Sequence, residues 1–358
     1  MIFLGDIASP DSNCSKALEL SLEKASNVFL GKSILANLEG VIANYSTHTE
    51  TPVLFNHPSV ITVLKKHGAV AFSLANNHTL DLPEYYDQTT EALDKENISF
   101  AGAARSKEAA YEPARFETEG VSISFFASCW KVMLQHQENP NQGVHVATIN
   151  ENKILELIRQ ERKNFPNNKI VFMPHWNLDL ETAPFPIHRV FAKACIDAGA
   201  NAVIGSHSHC VQGIERYNNG VIAYSLGNFF IPWGTFIKGT IHFPEFSKIS
   251  LALEWNPVTN EIKTHWFEYN DDGSHALKLI ASEDFDNSQL VKKYTPYSKF
   301  NEREYVSWYL KNRRKKKFIP VYKSHDQVFR NNILDFYLMQ RIKFARFLAK
   351  SGLRNWNN

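Results

Sequence analysis

Five short polar clusters in the first two-thirds of the chain carry side chains of the kinds that bind divalent metal ions. Each contains a carboxylate, an amide oxygen or an imidazole, the donor groups that hold manganese, iron or zinc in proteins. The clusters are Gly5-Asp6, Asn37-Leu38-Glu39-Gly40, Asn76-Asn77-His78, His175-Trp176-Asn177 and Gly205-Ser206-His207-Ser208-His209. No cluster is specific alone, but the five together predict one metal site.

Each cluster follows or closes a short apolar run that predicts a β-strand. The runs cover residues 2–4, 33–36, 70–74, 169–173 and 202–204. In layered α/β folds, ligands gather at the carboxyl ends of the strands. We therefore expect the five clusters, although far apart in the chain, to meet at one edge of the fold.

Amphipathic patterns between these runs indicate helices over about residues 14–27, 59–67, 83–97, 150–164 and 185–198. Strands that alternate with helices favour an α/β fold. Residues 115–128 alternate around Glu119-Gly120, and Asn219-Gly220 is a turn signal before a strand over residues 221–226. With a further strand over residues 249–255, the pattern predicts two sheets packed together.

Length and composition limit the function classes. A chain of 358 residues with 44% hydrophobic residues has room for one large domain and an extension, or for two domains. The net charge of +2 indicates no nucleic-acid partner. The sequence has neither a run of about 18 apolar residues nor a secretory leader, so we expect a cytoplasmic protein whose membrane contact is at most peripheral.

The four cysteines, Cys14, Cys129, Cys195 and Cys210, have no paired spacing and are predicted to be reduced. Cys210 follows His209, which leaves two interpretations open: a metal ligand, or the favoured alternative of a small buried apolar residue. The polar residues 135–143 form either an ordinary surface loop, which is favoured, or a cover over the site.

The order of the clusters resembles the CapA or PGA_cap capsule-synthesis family, within the calcineurin-like metallophosphoesterases. The matching string is Gly-Asp, Asn-x-Glu, Asn-Asn-His-x-x-Asp at 76–81, His-Trp, Gly-x-His-x-His-x-x-Gln at 205–212 and Ser-Leu-Gly-Asn-Phe at 225–229. The resemblance covers residues 1–270. It implies an α/β, four-layered αββα sandwich with two divalent ions (manganese, iron or zinc) at the strand ends, followed by a basic, aromatic-rich helical extension over residues 271–358.

The resemblance also implies a role for each ligand. Asp6 binds one ion and Glu39 bridges the two. Asn77, His175 and His207 hold the second ion, and His209 returns to the first. His207 and His209 lie two residues apart, so on an extended segment they share a face and reach neighbouring ions.

Further residues receive catalytic or substrate roles by the same resemblance. His78 corresponds to the histidine that donates a proton to the leaving group, and Asp81 is expected to orient it, because a carboxylate fixes the imidazole tautomer. Asn37, Trp176 and Asn228 are the predicted substrate contacts. For Trp176 packing is the favoured alternative, and for Asn228 a turn role is equally open.

Two departures from the family pattern stand out. The superfamily places a histidine two residues after the first Asp, where this chain has Ala8, so the first ion lacks an imidazole. After His175-Trp176 the family has Gly and then an acidic residue; Asn177 and Asp179 stand there in this chain. We expect weaker binding of the first ion and a changed shape beside the second.

The resemblance implies a role in bacterial capsule or other cell-surface polymer biosynthesis, and the predicted reaction is metal-dependent, phosphoesterase-like hydrolysis. Two alternatives stay open: a non-catalytic metal-binding accessory subunit of a polymer synthase, which Ala8 favours, and an amide hydrolase acting on a poly-glutamate-like polymer. The implied partners are the polymer or its phosphorylated precursor, together with other capsule-synthesis proteins.

The extension carries the basic run Arg313-Arg314-Lys315-Lys316-Lys317, which is either a solvated face or a peripheral membrane contact. Its aromatic residues are predicted to dock it on the catalytic body. They are Tyr305, Trp308, Tyr309, Phe318, Phe336, Tyr337, Phe344 and Phe347.

Overall fold

The computed structural model describes residues 1–49, 51–134, 143–314, 320–324 and 327–351. Residues 135–142 of the predicted polar loop, and residues 315–317 of the basic run with Phe318, lie outside the described part.

The strands and helices follow one another in the order expected of an α/β protein. The strands are β1 Ile2–Ile7, β2 Ile34–Leu38, β3 Val41–Ile42, β4 Phe55–Asn56, β5 Ala69–Ser73, β6 Ser99–Ala101, β7 Ala103–Ala104, β8 Ala114–Thr118, β9 Val121–Cys129, β10 His145–Val146, β11 Lys169–His175, β12 Ala202–Ile204, β13 Val211–Tyr217, β14 Gly220–Leu226, β15 Asn228–Phe230, β16 Ile249–Trp255, β17 Ile262–Tyr269 and β18 Leu277–Asp284. The helices are α1 Ser12–Lys24, α2 Ser26–Phe29, α3 Ser59–Lys66, α4 Tyr86–Lys95, α5 Lys131–Leu134, α6 Glu151–Asn164, α7 Pro186–Asp197, α8 Phe236–Gly239, α9 Gln289–Tyr294, α10 Glu302–Asn312 and α11 Val328–Lys350. Short 3-10 turns lie at Pro83–Tyr85, Ala109–Tyr111 and Glu245–Lys248.

Side-chain caps explain where several helices begin. Asp11 accepts a hydrogen bond from the backbone N–H of Cys14 at the start of α1, and Asn150 accepts one from Lys153 in α6. Such caps satisfy backbone donors that have no partner inside the helix. The helix predicted over residues 14–27 accordingly begins earlier and ends at Lys24.

The first sheet has eight strands in the order β18-β17-β16-β1-β2-β5-β6, with β15 also beside β1. The strands β1, β2, β5 and β6 run parallel, whereas β16 is antiparallel to β1. The register places Asp6 opposite Asn37 on β2 and opposite Asn228 on β15. Three residues of the candidate site are thus neighbours on adjacent strands.

The second sheet has six strands in the order β13-β14-β12-β11-β9-β8. Its four inner strands run parallel, and the edge strands β13 and β8 are antiparallel to their neighbours. The strands β8–β9 and β13–β14 form hairpins. They confirm the alternation predicted around Glu119-Gly120 and the turn predicted at Asn219-Gly220. His175 at the end of β11 forms an isolated bridge with Ser206 after β12.

The two sheets pack face to face, with helices on their outer sides. Helices α3 and α4 contact the first sheet through β5 and β6, and α6 and α7 contact the second through β11, β12 and β14. Parallel strands covered on both faces read as continuous apolar runs, which is why the runs could be recognised in the sequence. The predicted four-layered αββα architecture is confirmed.

The C-terminal part begins with a strand rather than a helix. Strand β18 lies within the predicted extension, yet it pairs along its length with β17 at the edge of the first sheet. Beyond it come α9, α10 and α11. The division into residues 1–270 and 271–358 as two units stays a prediction.

The predicted docking of the tail aromatics holds for one part of the tail only. Tyr305 and Tyr309 of α10 are buried against the body. The tyrosine hydroxyl of Tyr305 donates to the carbonyl oxygen of Pro184 over 2.6 Å. For α11 the prediction is wrong, because four of its aromatic rings are exposed: Phe336, Tyr337, Phe344 and Phe347.

All four cysteines are buried, and none of them forms a disulfide bond. The thiol of Cys210 lies 3.2 Å from the carbonyl oxygen of Glu181, a contact that supports the buried interpretation over the ligand one. Among the described residues, no helix combines the length and the apolarity needed to cross a membrane.

Candidate metal centre

The six predicted ligands stand at the carboxyl ends of parallel strands of both sheets. Asp6 lies near the end of β1, Glu39 directly after β2, and His175 is the last residue of β11. Asn77 follows β5 and the two histidines of the 205–209 cluster follow β12. The two packed sheets bring these ends together, so the predicted convergence is found.

Two glycines of the motifs allow the strands to approach closely. A Cβ on Gly5 would lie 1.9 Å from the carbonyl oxygen of Gly227, where the chain leaves the second sheet to pair with β1. A Cβ on Gly205 would lie 2.1 Å from the carbonyl oxygen of Tyr224. Any larger residue would push the strands apart, and the ligands next to them with it.

Asp6, Glu39 and His175 form the first group of candidate ligands. Each offers a donor atom within 4.8 Å of the others, and none has exposed surface. The amide nitrogen of Asn37 donates to Asp6 Oδ1 over 2.8 Å and to Glu39 Oε2 over 2.5 Å. Asn37 is fully buried between the two carboxylates, so its position favours orienting them over the predicted substrate contact.

Asn77 extends this group from the neighbouring strand. Its amide oxygen lies 2.6 Å from Nε2 of His175, whose Nδ1 lies 2.9 Å from the hydroxyl of Ser206. The Nε2 atom is also 3.6 Å from Glu39 Oε1. The ring of His175 is thereby oriented with Nε2 towards the carboxylate and the amide oxygen.

Asp179, His207 and His209 form a second group, whose donor atoms also lie within 4.8 Å of one another. Asp179 Oδ1 is 3.3 Å from Nε2 of His207 and 4.0 Å from Nε2 of His209. Nδ1 of His209 lies 3.7 Å from Asp6 Oδ2, so the two groups adjoin. Sequence reasoning noted Asp179 only as a departure from the family pattern and missed it as a candidate ligand.

The loop that carries Asp179 is held by its backbone. Asn177 and Leu180 adopt left-handed conformations, with φ of 77° and 60°. The N–H of Leu180 donates to the carbonyl oxygen of Ser208 over 2.8 Å, which ties this loop to the segment between the two histidines. The Asn177 side chain braces the turn by donating to Ala183 and accepting from Leu178.

The electrostatics fit a cation. Burial raises the pKa of Glu39 well above its ordinary value, and the neighbouring Asp6 carboxylate raises it further. Burial also raises the pKa of Asp6, opposed by His209 and by the hydrogen bond from Asn37. Burial lowers the pKa of His175 well below its ordinary value, with His207 adding to the effect, so the ring is neutral as a metal ligand must be.

One buried carboxylate oxygen requires a cation or a proton as its partner. Glu39 Oε1 has no hydrogen-bond partner among the described residues, although the side chain has no exposed surface. An orphaned carboxylate oxygen is costly unless a cation or a proton satisfies it. With imidazole, carboxylate and amide donors around it, the residues present fit a divalent transition ion.

His78 stands beside the ligands, as predicted. Its Nδ1 lies 2.5 Å from Asp81 Oδ2, which also accepts a hydrogen bond from the N–H of Leu54 over 3.2 Å. Its Nε2 lies 3.9 Å from Glu39 Oε1, on the side of the ligands. Asp81 therefore lies where it can orient the ring, the role that the resemblance implies.

The other two predicted substrate contacts differ in their surroundings. Asn228 Oδ1 lies 2.8 Å from Nδ1 of His209, while its amide nitrogen has no hydrogen-bond partner among the described residues. Trp176 has no exposed surface; it donates from Nε1 to the carbonyl oxygen of Tyr224 and stacks on His188 with ring centroids 4.8 Å apart. Trp176 is out of reach of a substrate arriving from solvent, which is a correction to its predicted role.

Ala8 supplies no donor, as its side chain dictates. It is fully buried in a small apolar cluster with Val41, Phe55 and Ile231. In place of an imidazole from the loop after β1, the second group has the Asp179 carboxylate from the loop after β11.

Comparisons with known proteins show two similar capsule or PGA biosynthesis proteins. The chain is 27% identical over 201 residues to the capsule biosynthesis protein CapA of Bacillus anthracis, covering 53% of this chain and 47% of that relative. It is 28% identical over 196 residues to the PGA biosynthesis protein CapA of Bacillus subtilis strain 168, covering 53% and 50%. The chain spans about half the length of these curated relatives.

Among solved structures, the chain resembles a phosphatase from Mycoplasma pneumoniae with a TM-score of 0.44 and 16% identity, covering 79% of this chain and 93% of that one. It also resembles the NAD nucleotidase of Haemophilus influenzae with a TM-score of 0.40 and 11% identity, covering 79% and 55%. The model of the bacterial capsule synthesis protein PGA_cap family matches residues 5–232, a range that contains every candidate site residue, and the chain belongs to that family.

Proposed function

We propose that this protein is a metal-dependent hydrolase of a phosphoester bond, acting in the synthesis of bacterial capsule or another cell-surface polymer. The observation that carries the proposal is the junction of two ligand groups at Asp6 and His209, with the oriented imidazole of His78 beside them. Two adjoining groups of donors suit a pair of divalent ions better than one.

The residues that would hold the ions are those of the two groups with Asn77. Asp6, Glu39 and His175 belong to one group, and Asp179, His207 and His209 to the other. A divalent ion bound there supplies a Lewis acid for a phosphoryl oxygen and activates water as the nucleophile. Asp179 would take the place of the imidazole that is missing at position 8.

His78 is the proposed proton donor to the leaving group. The short contact to Asp81 favours the tautomer with the proton on Nδ1, which leaves Nε2 towards the ligands. An imidazole in this setting can hold a proton at Nε2 and give it to the departing oxygen. The buried amide oxygen of Asn228 fixes the ring of His209 in the same way.

The biological role rests on the family and on the names of the relatives. The two relatives described above are named for capsule or PGA biosynthesis. The proposed substrate is therefore the surface polymer or its phosphorylated precursor, and the proposed partners are other proteins of that synthesis.

A hydrolysis assay with added manganese tests the proposal. An aryl phosphodiester and an aryl phosphomonoester should be hydrolysed by the wild type, and His175→Ala should remove the activity together with bound metal. The exposed His48→Ala is the matched control and should leave both unchanged. Two results together would contradict hydrolysis and favour the accessory-subunit alternative. The wild type would bind metal but hydrolyse neither ester, and the wild type and His78→Ala would restore surface polymer equally in a deletion strain.

A further inference from the structure

The long C-terminal helix α11 packs on the body through one of its faces. Leu338 and Asp335 on that face are buried, and the helix contacts α5. Asp335 lies 2.6 Å from the ammonium group of Lys131 and accepts a hydrogen bond from the hydroxyl of Tyr322 over 2.7 Å. The helix is therefore fixed in its rotation about its own axis.

The opposite face of α11 presents a stripe of large apolar side chains to solvent. At helical spacing, residues 329, 333, 336, 344 and 347 lie on one side of the helix. Their exposed fractions are Phe329 81%, Ile333 51%, Phe336 59%, Phe344 61% and Phe347 61%. A single exposed apolar residue is ordinary, but a continuous stripe of this size marks an interaction surface.

The charges on α11 identify what this surface fits. Arg341 and Lys343 are exposed, and their positions in the helix place them on opposite edges of the stripe. The one acidic residue in the whole helix is Asp335, which is buried on the inner face. The exposed face of the helix is thus apolar along its middle, cationic at its edges and free of acidic side chains.

We propose that α11 binds the surface of a lipid bilayer that contains anionic headgroups, with its axis in the membrane plane. An interfacial helix buries an apolar stripe at the boundary of headgroups and acyl chains while flanking cations contact the anionic headgroups. The inference is independent of the hydrolase activity. The proposed membrane contact is thus made by α11, whereas the sequence pattern placed it at the basic run of residues 313–317.

A second copy of the chain suits the surface less well. If two such stripes faced each other, the cations at their edges would be brought together, and the helix has no exposed acidic residue to pair with them. Like charges brought face to face oppose association. A membrane with anionic lipid supplies the missing opposite charge.

Vesicle flotation of the full-length protein tests the proposal. The protein should float with vesicles of phosphatidylcholine and phosphatidylglycerol, stay below with phosphatidylcholine alone, and be released as the salt concentration rises. Because the rings are exposed, the double variant Phe344→Ser, Phe347→Ser should keep the melting temperature and yet lower the partition coefficient by about tenfold or more. The pair Leu30→Ser, Val258→Ser, which removes exposed apolar residues elsewhere, is the matched control and should float like the wild type.

The charges are tested by Arg341→Glu, Lys343→Glu, which should lower the partition coefficient by on the order of tenfold or more. The same reversal at the exposed Lys16 and Lys24 of α1 should have no such effect. Flotation that is absent, that is indifferent to anionic lipid, or that survives loss of both phenylalanines would overturn the proposal. A dimer that forms without lipid and is dissolved by Phe344→Ser, Phe347→Ser, in a protein that does not float, would assign the stripe to a second copy instead.

Discussion

Asn77 Oδ1 lies 2.6 Å from Nε2 of His175, a contact that joins the end of the first sheet to the end of the second. The two residues are 98 positions apart in the chain, and both carry atoms of the kind that bind metal. A cation at this place would take over both atoms from their mutual hydrogen bond. The site thus lies where the two sheets meet, and its geometry depends on their packing.

Asp179→Ala should lower the amount of metal that stays bound, because it removes the one carboxylate of the group formed with His207 and His209. Asp6, Glu39 and His175 should keep the ion of the other group. Elemental analysis after dialysis in metal-free buffer measures the difference. Asp286→Ala, which removes an exposed carboxylate elsewhere, serves as control, and equal metal content in the two variants would show that Asp179 is no ligand.

His78→Gln should keep bound metal but lose turnover by about 10²- to 10⁴-fold, the usual contribution of a positioned acid or base. Asp81→Asn should lose less, because the imidazole remains and only its orientation by the Asp81 carboxylate is weakened. The rate constant kcat for an aryl phosphoester, measured across a range of pH, gives both effects. If His78→Gln lost metal as readily as His209→Ala, His78 would be a ligand and not the proton donor.

Glu39→Gln should stabilise the metal-free protein and abolish its stabilisation by metal. The buried Glu39 carboxyl has a raised pKa in the folded state, so the unfolded chain releases this proton at a lower pH than the folded protein does. The free energy of unfolding therefore falls as the pH rises above 4.5, the ordinary pKa of the group. Thermal unfolding at neutral pH should give a higher melting temperature than metal-free wild type, with no rise on adding manganese. The exposed Glu91→Gln should behave like wild type with and without manganese. A melting temperature of metal-free Glu39→Gln below that of metal-free wild type would show that the Glu39 carboxylate does not destabilise the metal-free protein.

Glu254→Gln should destabilise the protein at neutral pH but not in strong acid. Hydrogen bonds from His265 and Lys32 lower the pKa of Glu254 to about 2. Because the folded pKa is depressed, the stabilisation is complete above the ordinary value of 4.5 and disappears as the pH falls towards about 2. Urea midpoints of wild type and variant should therefore differ at pH 7 and converge in acid; a constant difference would contradict the assignment.

Truncation should have different effects at two positions in the tail. A chain ending at residue 275 loses β18 and also Tyr297 and Tyr305, which are fully buried against the body. We therefore expect poor solubility or a large fall in melting temperature. A chain ending at residue 324 loses α11 but keeps these contacts, and its melting temperature should fall less. Equal stability of the 1–275 chain and the full chain would mean that the tail is a separate module.

Local patterns in the sequence predicted much of the fold. Apolar runs closed by polar clusters identify strands whose ends bear chemistry, because a parallel strand covered on both faces needs a continuous apolar segment. Asp6, Glu39 and His175 could be named as ligand candidates for that reason. The pairing of His78 with Asp81 was also predictable, since they are three positions apart and one tight turn brings them together.

What the sequence could not decide depends on which surfaces meet. Asp179 reaches the histidines because the turn after β11 is left-handed at Asn177 and Leu180 and bonded to Ser208, a contact between loops that no local pattern encodes. The sequence also could not show that Asn37 and Trp176 are buried, because their burial depends on the packing of the opposite sheet and of the surrounding helices. They were therefore predicted to contact the substrate. In α11 the helical period shows which residues share a face, but two of its faces are apolar, and only packing against α5 determines which one is buried and which one is left facing solvent.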